Sequence, residues 1–112
     1  TVLAGVRNDM TVAQEEIFGP VVVAIPFESE EQAVAIANES IYGLHATLFT
    51  RDLKRAHTVS RALKAGTVTV NNVFGSDIMT PFGGYKQSGI GRDKGLHALE
   101  KYQQIKTTYI QL

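Results

Sequence analysis

The chain has 112 residues, enough for one modest domain that buries roughly two-thirds of its unfolded surface. Eleven basic residues balance eleven acidic ones, with 44% hydrophobic and 20% charged side chains. That composition argues against disorder, and the lack of a long basic run argues against an electrostatic nucleic-acid site. Zero cysteines exclude disulfides and thiolate metal sites, and the longest apolar run, residues 21–25, is far too short to span a bilayer. Position 1 is Thr, with no initiator Met, signal core or basic leader, so the start reads as a cut inside a longer chain; removal of Met before Thr is the plain alternative. The cytoplasm is the default compartment.

Val21-Val22-Val23-Ala24-Ile25-Pro26-Phe27 is a β-branched run that predicts a buried strand ending near the proline. Ser29-Glu30-Glu31-Gln32 then has the form of a capping box, in which Ser29 accepts from the backbone N–H of Gln32 and the glutamine side chain reaches back. Ala33, Ile36 and Ala37 follow at helical spacing, and Tyr42-Gly43 stops the helix. Residues 45–50 read as a second strand. Asp52 is placed to cap a second helix with Ala56, Val59 and Leu63 on one stripe and Leu53 and Ala62 beside it. Lys64 suits that helix's negative end, and Gly66 supplies its stop. Thr67-Val68-Thr69-Val70 alternates strictly and gives a third strand. The order strand–helix–strand–helix–strand predicts an α/β fold, a small parallel sheet joined by right-handed crossovers. Two helices cannot cover both sheet faces, so an exposed apolar patch is expected.

Residues 72–91 form a loop carrying five of the ten glycines, too long for an ordinary connector and therefore suited to binding. A C-terminal helix is expected over residues 92–102, with Leu96, Leu99 and Tyr102 on one side. The tail, Lys106-Thr107-Thr108-Tyr109-Ile110-Gln111-Leu112, has β propensity but no turn to fold it back. As an edge it needs a partner strand, from elsewhere in a longer chain or from another subunit.

Several ordered blocks carry a family resemblance. They are Met10-Thr11-Val12-Ala13-Gln14-Glu15-Glu16-Ile17-Phe18-Gly19-Pro20, Ala37-Asn38-Glu39-Ser40-Ile41-Tyr42-Gly43-Leu44, Phe49-Thr50-Arg51-Asp52-Leu53, Ala65-Gly66-Thr67-Val68-Thr69-Val70-Asn71 and Pro81-Phe82-Gly83-Gly84-Tyr85-Lys86-Gln87-Ser88-Gly89. Together they resemble the C-terminal part of the NAD(P)-dependent aldehyde dehydrogenases, over nearly the whole chain. Asn71-Asn72, Asp77 and the run from Gly91 to Tyr102 look most like the aminoaldehyde-oxidising branch, that acting on gamma-glutamyl-aminobutyraldehyde in particular. The resemblance implies that residues 1–103 belong to the catalytic domain and residues 104–112 form a terminal oligomerisation strand. It implies NAD or NADP as cofactor, an aldehyde substrate, and a homo-oligomer in which this chain meets the rest of the dehydrogenase or another subunit. The family attacks its aldehyde with a cysteine thiolate, passes hydride to the nicotinamide and hydrolyses the resulting thioester. That cysteine precedes the matched region, so the chain alone is expected to be inactive. The alternative is a stand-alone assembly or ligand-binding module derived from the dehydrogenase.

By the same resemblance, Glu16 accepts hydrogen bonds from the hydroxyls of the nicotinamide-side ribose, a task suited to a carboxylate. Phe18 corresponds to an aromatic packed near the nicotinamide; a core phenylalanine opening the first strand is the other reading. Phe82 corresponds to an aromatic wall of the substrate tunnel. Asp77 either attracts the distal ammonium of an aminoaldehyde or forms a turn. Ser76, near Phe74, stands where many relatives carry an aromatic, which widens or wets the tunnel mouth. The glycines of Gly83-Gly84 are expected to let the backbone turn sharply, while Arg92 and Lys86 read as groups pairing segments or subunits. His45, His57 and His97 lack metal-ligand spacing and read as solvated or packed imidazoles. Gln104 replaces a glutamate that several relatives place near a subunit contact.

Overall fold

The computed structural model describes residues 1–73, 75 and 77–112. Among these the elements run β1 (Val2–Ala4), α1 (Thr11–Gln14), β2 (Val22–Ala24), α2 (Glu30–Glu39), β3 (Tyr42–Gly43), β4 (His45–Leu48), α3 (Leu53–Ala62), β5 (Thr67–Val70), β6 (Tyr85–Lys86) and a 3₁₀ helix (Leu96–Tyr102).

Both long helices begin at side-chain caps. Ser29 Oγ accepts from Gln32 N at 3.1 Å, and Gln32 Oε1 accepts from Glu28 N at 2.6 Å, one residue before the cap itself. Asp52 Oδ1 accepts from Arg55 N at 3.1 Å. Each cap satisfies an amide that the first turn leaves without a helical partner. The far ends are tied by other segments. Asn38 Nδ2 donates to Ala62 O at 2.8 Å and its Oδ1 accepts from Lys64 N at 2.7 Å, closing α3. Lys86 Nζ donates to Asn38 O and Ser40 O at 2.8 and 2.7 Å, placing a cation at the negative end of α2. Lys86 thus pairs segments, as its sequence context suggests.

The expected crossover between the second and third strands is present. β4 and β5 pair in parallel, His45 opposite Thr67 through Leu48 opposite Val70, with α3 as the connection. The first strand departs from expectation: β2 pairs in parallel with β1, Val2 opposite Val22, rather than joining β4 and β5 in one sheet. The reason lies at the N-terminus, where Thr1 N donates to Pro20 O at 2.6 Å and Val22 N to Thr1 O at 2.9 Å, zipping the two strands together. β1 is three residues long, too short to display a period of two. A third pair, β3 with β6, is antiparallel. The C-terminal helix is shorter than expected and of 3₁₀ form. Residues 92–95 are unavailable to it, because Asp93 pairs with Phe82 and Gly95 adopts φ 57°.

Among the described residues, Val6 and Val59 are the buried hydrophobics, joined by Thr69. The accessible surface is 9229 Å², against about 6,100 Å² for a compact monomer of this mass. The radius of gyration is 18.5 Å, where a compact chain of this length has about 13 Å. Residues 103–112, with Ile105, Tyr109, Ile110 and Leu112, lie exposed and form no ladder. Apolar exposure was expected where two helices leave sheet faces uncovered, and Val2 and Val22, opposite one another on β1 and β2, are both exposed. No helix among the described residues is long and apolar enough to cross a membrane.

Candidate functional site

Glu16 and Phe18 lie between α1 and β2, on a segment whose geometry is set at both ends. Glu15 N donates to Thr11 O at 2.9 Å, ending α1, and Val21 N donates to Gly19 O at 2.7 Å in a tight turn before β2. Between these anchors Phe18 adopts φ 54°, a left-handed conformation rarely taken by a bulky side chain. The residue is 94% exposed. The turn through Gly19-Pro20 directs it outward, away from the core of this chain. Glu16 is also exposed, and both residues line a concavity of about 310 Å³ with Val12, Ile17, Val21 and Val23. A carboxylate and an aromatic face displayed side by side can accept hydrogen bonds from a vicinal diol while covering one face of a planar ring.

Phe82 sits in a second cavity, about 270 Å³, with His45, Val73, Thr80 and Pro81 among its walls. Its backbone exchanges both hydrogen bonds with Asp93, at 2.8 and 2.7 Å, so the ring is carried on a bridge. The glycines that follow Phe82, Gly83 and Gly84, have a different task from the one expected. Gly83 and Gly84 do not adopt positive φ; they permit close backbone approach. A Cβ on Gly66 would overlap the Gly83 carbonyl oxygen, and one on Gly84 would meet Ser88 at 2.5 Å. The sharp conformations fall instead on Gly89, Gly91 and Gly95. Arg92 Nη1 donates to Gly84 O at 3.0 Å and its guanidinium lies 5.5 Å from the centre of the Tyr85 ring, pairing segments as anticipated.

Asp77 forms a turn: its Oδ1 accepts from Met79 N at 2.7 Å and its carbonyl from Thr80 N at 3.1 Å. Ser76 and Phe74 lie outside the described residues. Glu16 and Phe18 are brought together, while Phe82 lines a separate cavity with no lining residue in common. Two neighbours of Phe82 escaped sequence reasoning. His45 reaches the cavity from β4, with Nε2 3.2 Å from Thr69 Oγ1, which itself lies 3.1 Å from Thr47 Oγ1. Lys94 places its ammonium 5.8 Å from the centre of the Phe82 ring. The alternation of His45 and Thr47 along a strand pointed to a shared face; nothing in the local sequence pointed to Lys94. No cluster of metal-ligating side chains occurs among the described residues.

Comparison with known proteins accounts for this arrangement. The chain is 57% identical over its whole length to the NADP/NAD-dependent aldehyde dehydrogenase PuuC of Escherichia coli (strain K12), of which it covers 23%. Indole-3-acetaldehyde dehydrogenase AldA of P. syringae, solved as a mutant with NAD+ and IAA, superposes on 99% of the chain with a TM-score of 0.93 at 52% identity, the match covering 22% of that protein. The aldehyde dehydrogenase KauB from Pseudomonas aeruginosa gives 0.92 at 53% identity, with 99% and 22% covered. The chain thus spans about a quarter of the length of the relatives it matches. With the aldehyde dehydrogenase family model matching residues 1–108, the chain belongs to the aldehyde dehydrogenase family.

Proposed function

We propose that this chain is the C-terminal part of an NAD(P)-dependent dehydrogenase oxidising an aldehyde to a carboxylic acid, with aminoaldehydes as the class indicated by the resemblance. In this reading residues 1–103 complete the catalytic domain and residues 104–112 are the strand through which subunits assemble, in a cytoplasmic homo-oligomer. The observation that carries it is the displayed pair, Glu16 beside an outward-turned Phe18 held at φ 54°. At that φ the ring is turned away from the core of this segment and presented beside the Glu16 carboxylate. The exposed carboxylate and ring fit the nicotinamide-ribose end of a dinucleotide.

When bound, the dinucleotide supplies the hydride acceptor. Glu16 would accept from the ribose hydroxyls and so position the ring, Phe18 would pack beside it, and Phe82 would offer a flat apolar wall to the aldehyde's carbon chain. Asp77 shapes the loop ahead of Phe82, and Ser76 contributes at the tunnel mouth by resemblance alone. The nucleophile comes from outside these residues, since the chain contains no cysteine. A stand-alone module is disfavoured by a core with Val6 and Val59 as its buried hydrophobics.

The test compares NAD(P)H formation by the complete polypeptide carrying these residues, by its Glu16→Gln variant, and by the isolated 112-residue chain. Glu16→Gln is expected to lower kcat/KM by about 10- to 100-fold, the worth of one or two charge-assisted hydrogen bonds. The isolated chain is expected to give none. Unchanged kinetics in the variant would remove Glu16 from the site, and turnover by the rigorously purified isolated chain would overturn the division of labour.

A further inference from the structure

The cavity walled by Phe82 has a single nitrogen base on its described lining, His45; Thr67 and Thr80 add hydroxyls, while Val73, Pro81 and Phe82 are apolar. The parallel register sets His45 opposite Thr67 and Thr47 opposite Thr69, and the period of two puts these four side chains on one face of the β4–β5 pair. The glycine-rich loop lies over that face, where a Cβ on Gly75 would stand 3.7 Å from Thr69 Cγ2. Beneath it runs a short polar chain. His45 Nε2 is 3.2 Å from Thr69 Oγ1, which is 3.1 Å from Thr47 Oγ1. Thr69 is buried and His45 is exposed. Among the described residues, His45 Nδ1 has no hydrogen-bond partner.

Thr69 has one hydroxyl proton to place between two neighbours. When it donates to Thr47 it accepts from Nε2–H, and Nδ1 carries the ring's lone pair. When it donates to Nε2 instead, Nδ1 carries the proton. The hydroxyl chain therefore accommodates either tautomer, and a ligand with an N–H to give selects the first.

We infer that His45 Nδ1 recognises the far end of the aldehyde, accepting a hydrogen bond from a primary ammonium and so favouring it over a quaternary ammonium, which has none to give. The inference rests on the function proposed above and narrows its aminoaldehyde class. Both cations carry the same charge, so the discrimination is one of hydrogen bonding. A site built around an acceptor loses that bond when the donor is fully methylated.

The experiment measures kcat/KM of the complete polypeptide for propanal, 3-aminopropanal and its N,N,N-trimethyl counterpart. Wild type is expected to prefer 3-aminopropanal over the trimethyl compound. His45→Phe keeps a flat ring without nitrogens, and Thr69 retains Thr47 as its partner. That variant is expected to lower the 3-aminopropanal value about tenfold relative to propanal, chiefly through KM, the worth of one charge-assisted bond. The trimethyl-to-propanal ratio should move by less than about twofold, since no bond is lost there. His45→Asn, whose Oδ1 stands close to the place of Nδ1, is expected to recover most of the loss. An unmoved 3-aminopropanal-to-propanal ratio in His45→Phe overturns the inference, because a purely structural role would act on both substrates alike. A wild-type preference for the trimethyl compound, or a loss that His45→Asn does not recover, overturns it too. Each of these leaves aldehyde oxidation intact. Failure of the wild type to oxidise any of the three, with either NAD or NADP, overturns the proposed function and the inference with it.

Discussion

The crossover unit β4–α3–β5 and residues 103–112 both contain alternating, β-branched or aromatic sequence, and they reach opposite ends. In the unit, two four-residue strands pair in register along their whole length, Asp52 caps the connecting helix and Thr69 is buried. Asn71 closes the far edge, accepting from Thr50 N at 2.9 Å and donating to Thr50 O at 2.8 Å. In the tail, Tyr109 and Ile110 have the same propensities, yet both stand exposed without a ladder. Alternation decides which face of a strand is apolar; it does not provide a neighbour about 4.8 Å away. The crossover carries its neighbour with it, whereas the tail must find one.

Three perturbations would break or sharpen this contrast. The largest effect is expected from Gly66→Val in the complete polypeptide. Its side chain would occupy the place of the Gly83 carbonyl oxygen, parting β5 from the loop that holds Phe82. A loss of about 3 kcal/mol or more is expected in chemical denaturation. An unchanged midpoint would mean that the crossover unit does not depend on the loop seated against it.

Deleting residues 104–112 should do the reverse. The far-UV helical signal should persist while the assembly, followed by light scattering, falls to a smaller mass; an unaltered mass would strip the tail of its assigned role.

The smallest effect concerns a cap. Ser29→Ala should cost about 1 kcal/mol in stability. It should also move the titration of Glu31, whose carboxyl lies below its ordinary 4.5 because its own backbone N–H and then the Ser29 side chain favour the charged form. A depressed carboxylate adds stability that is complete above about pH 4.5 and is lost as pH falls through the lower folded value. Without Ser29 the Glu31 carboxyl resonance should titrate nearer 4.5, and an unshifted curve would uncouple the two groups.

What the sequence made legible was local. The Ser29 and Asp52 caps, the helical stripe through Val59 and the alternation of Thr67-Val68-Thr69-Val70 each depend on residues within a few positions of one another. The division into strand pairs was not legible. β1, β3 and β6 span two or three residues each, below any readable period, and their partners lie far away in the chain. The glycine-rich loop was recognised as special, but for turning, whereas Gly83 and Gly84 serve close packing against chain that only the fold brings near. At the candidate site, the Glu15-to-Pro20 block reads as one unit in the sequence, while the outward turn of Phe18 required its φ to be seen. Of the two readings of Asp77, the turn is the one that local sequence could show, and it is seen in the bond from Met79 N to its carboxylate. Lys94 was invisible because a bridge between Phe82 and Asp93 carries it there.

The ammonium of Lys86 lies 46 and 48 residues downstream of the carbonyls it binds at the end of α2. At about 5–20 residues per second of synthesis, those carbonyls wait roughly 2–10 s for their partner to be made. During vectorial synthesis the helix therefore emerges with its last turn hydrated, and it is sealed only when the glycine-rich loop arrives. A ribosome that pauses between Ser40 and Lys86 would prolong the period in which α2 can fray, so codon choice in that stretch bears directly on how safely the segment matures.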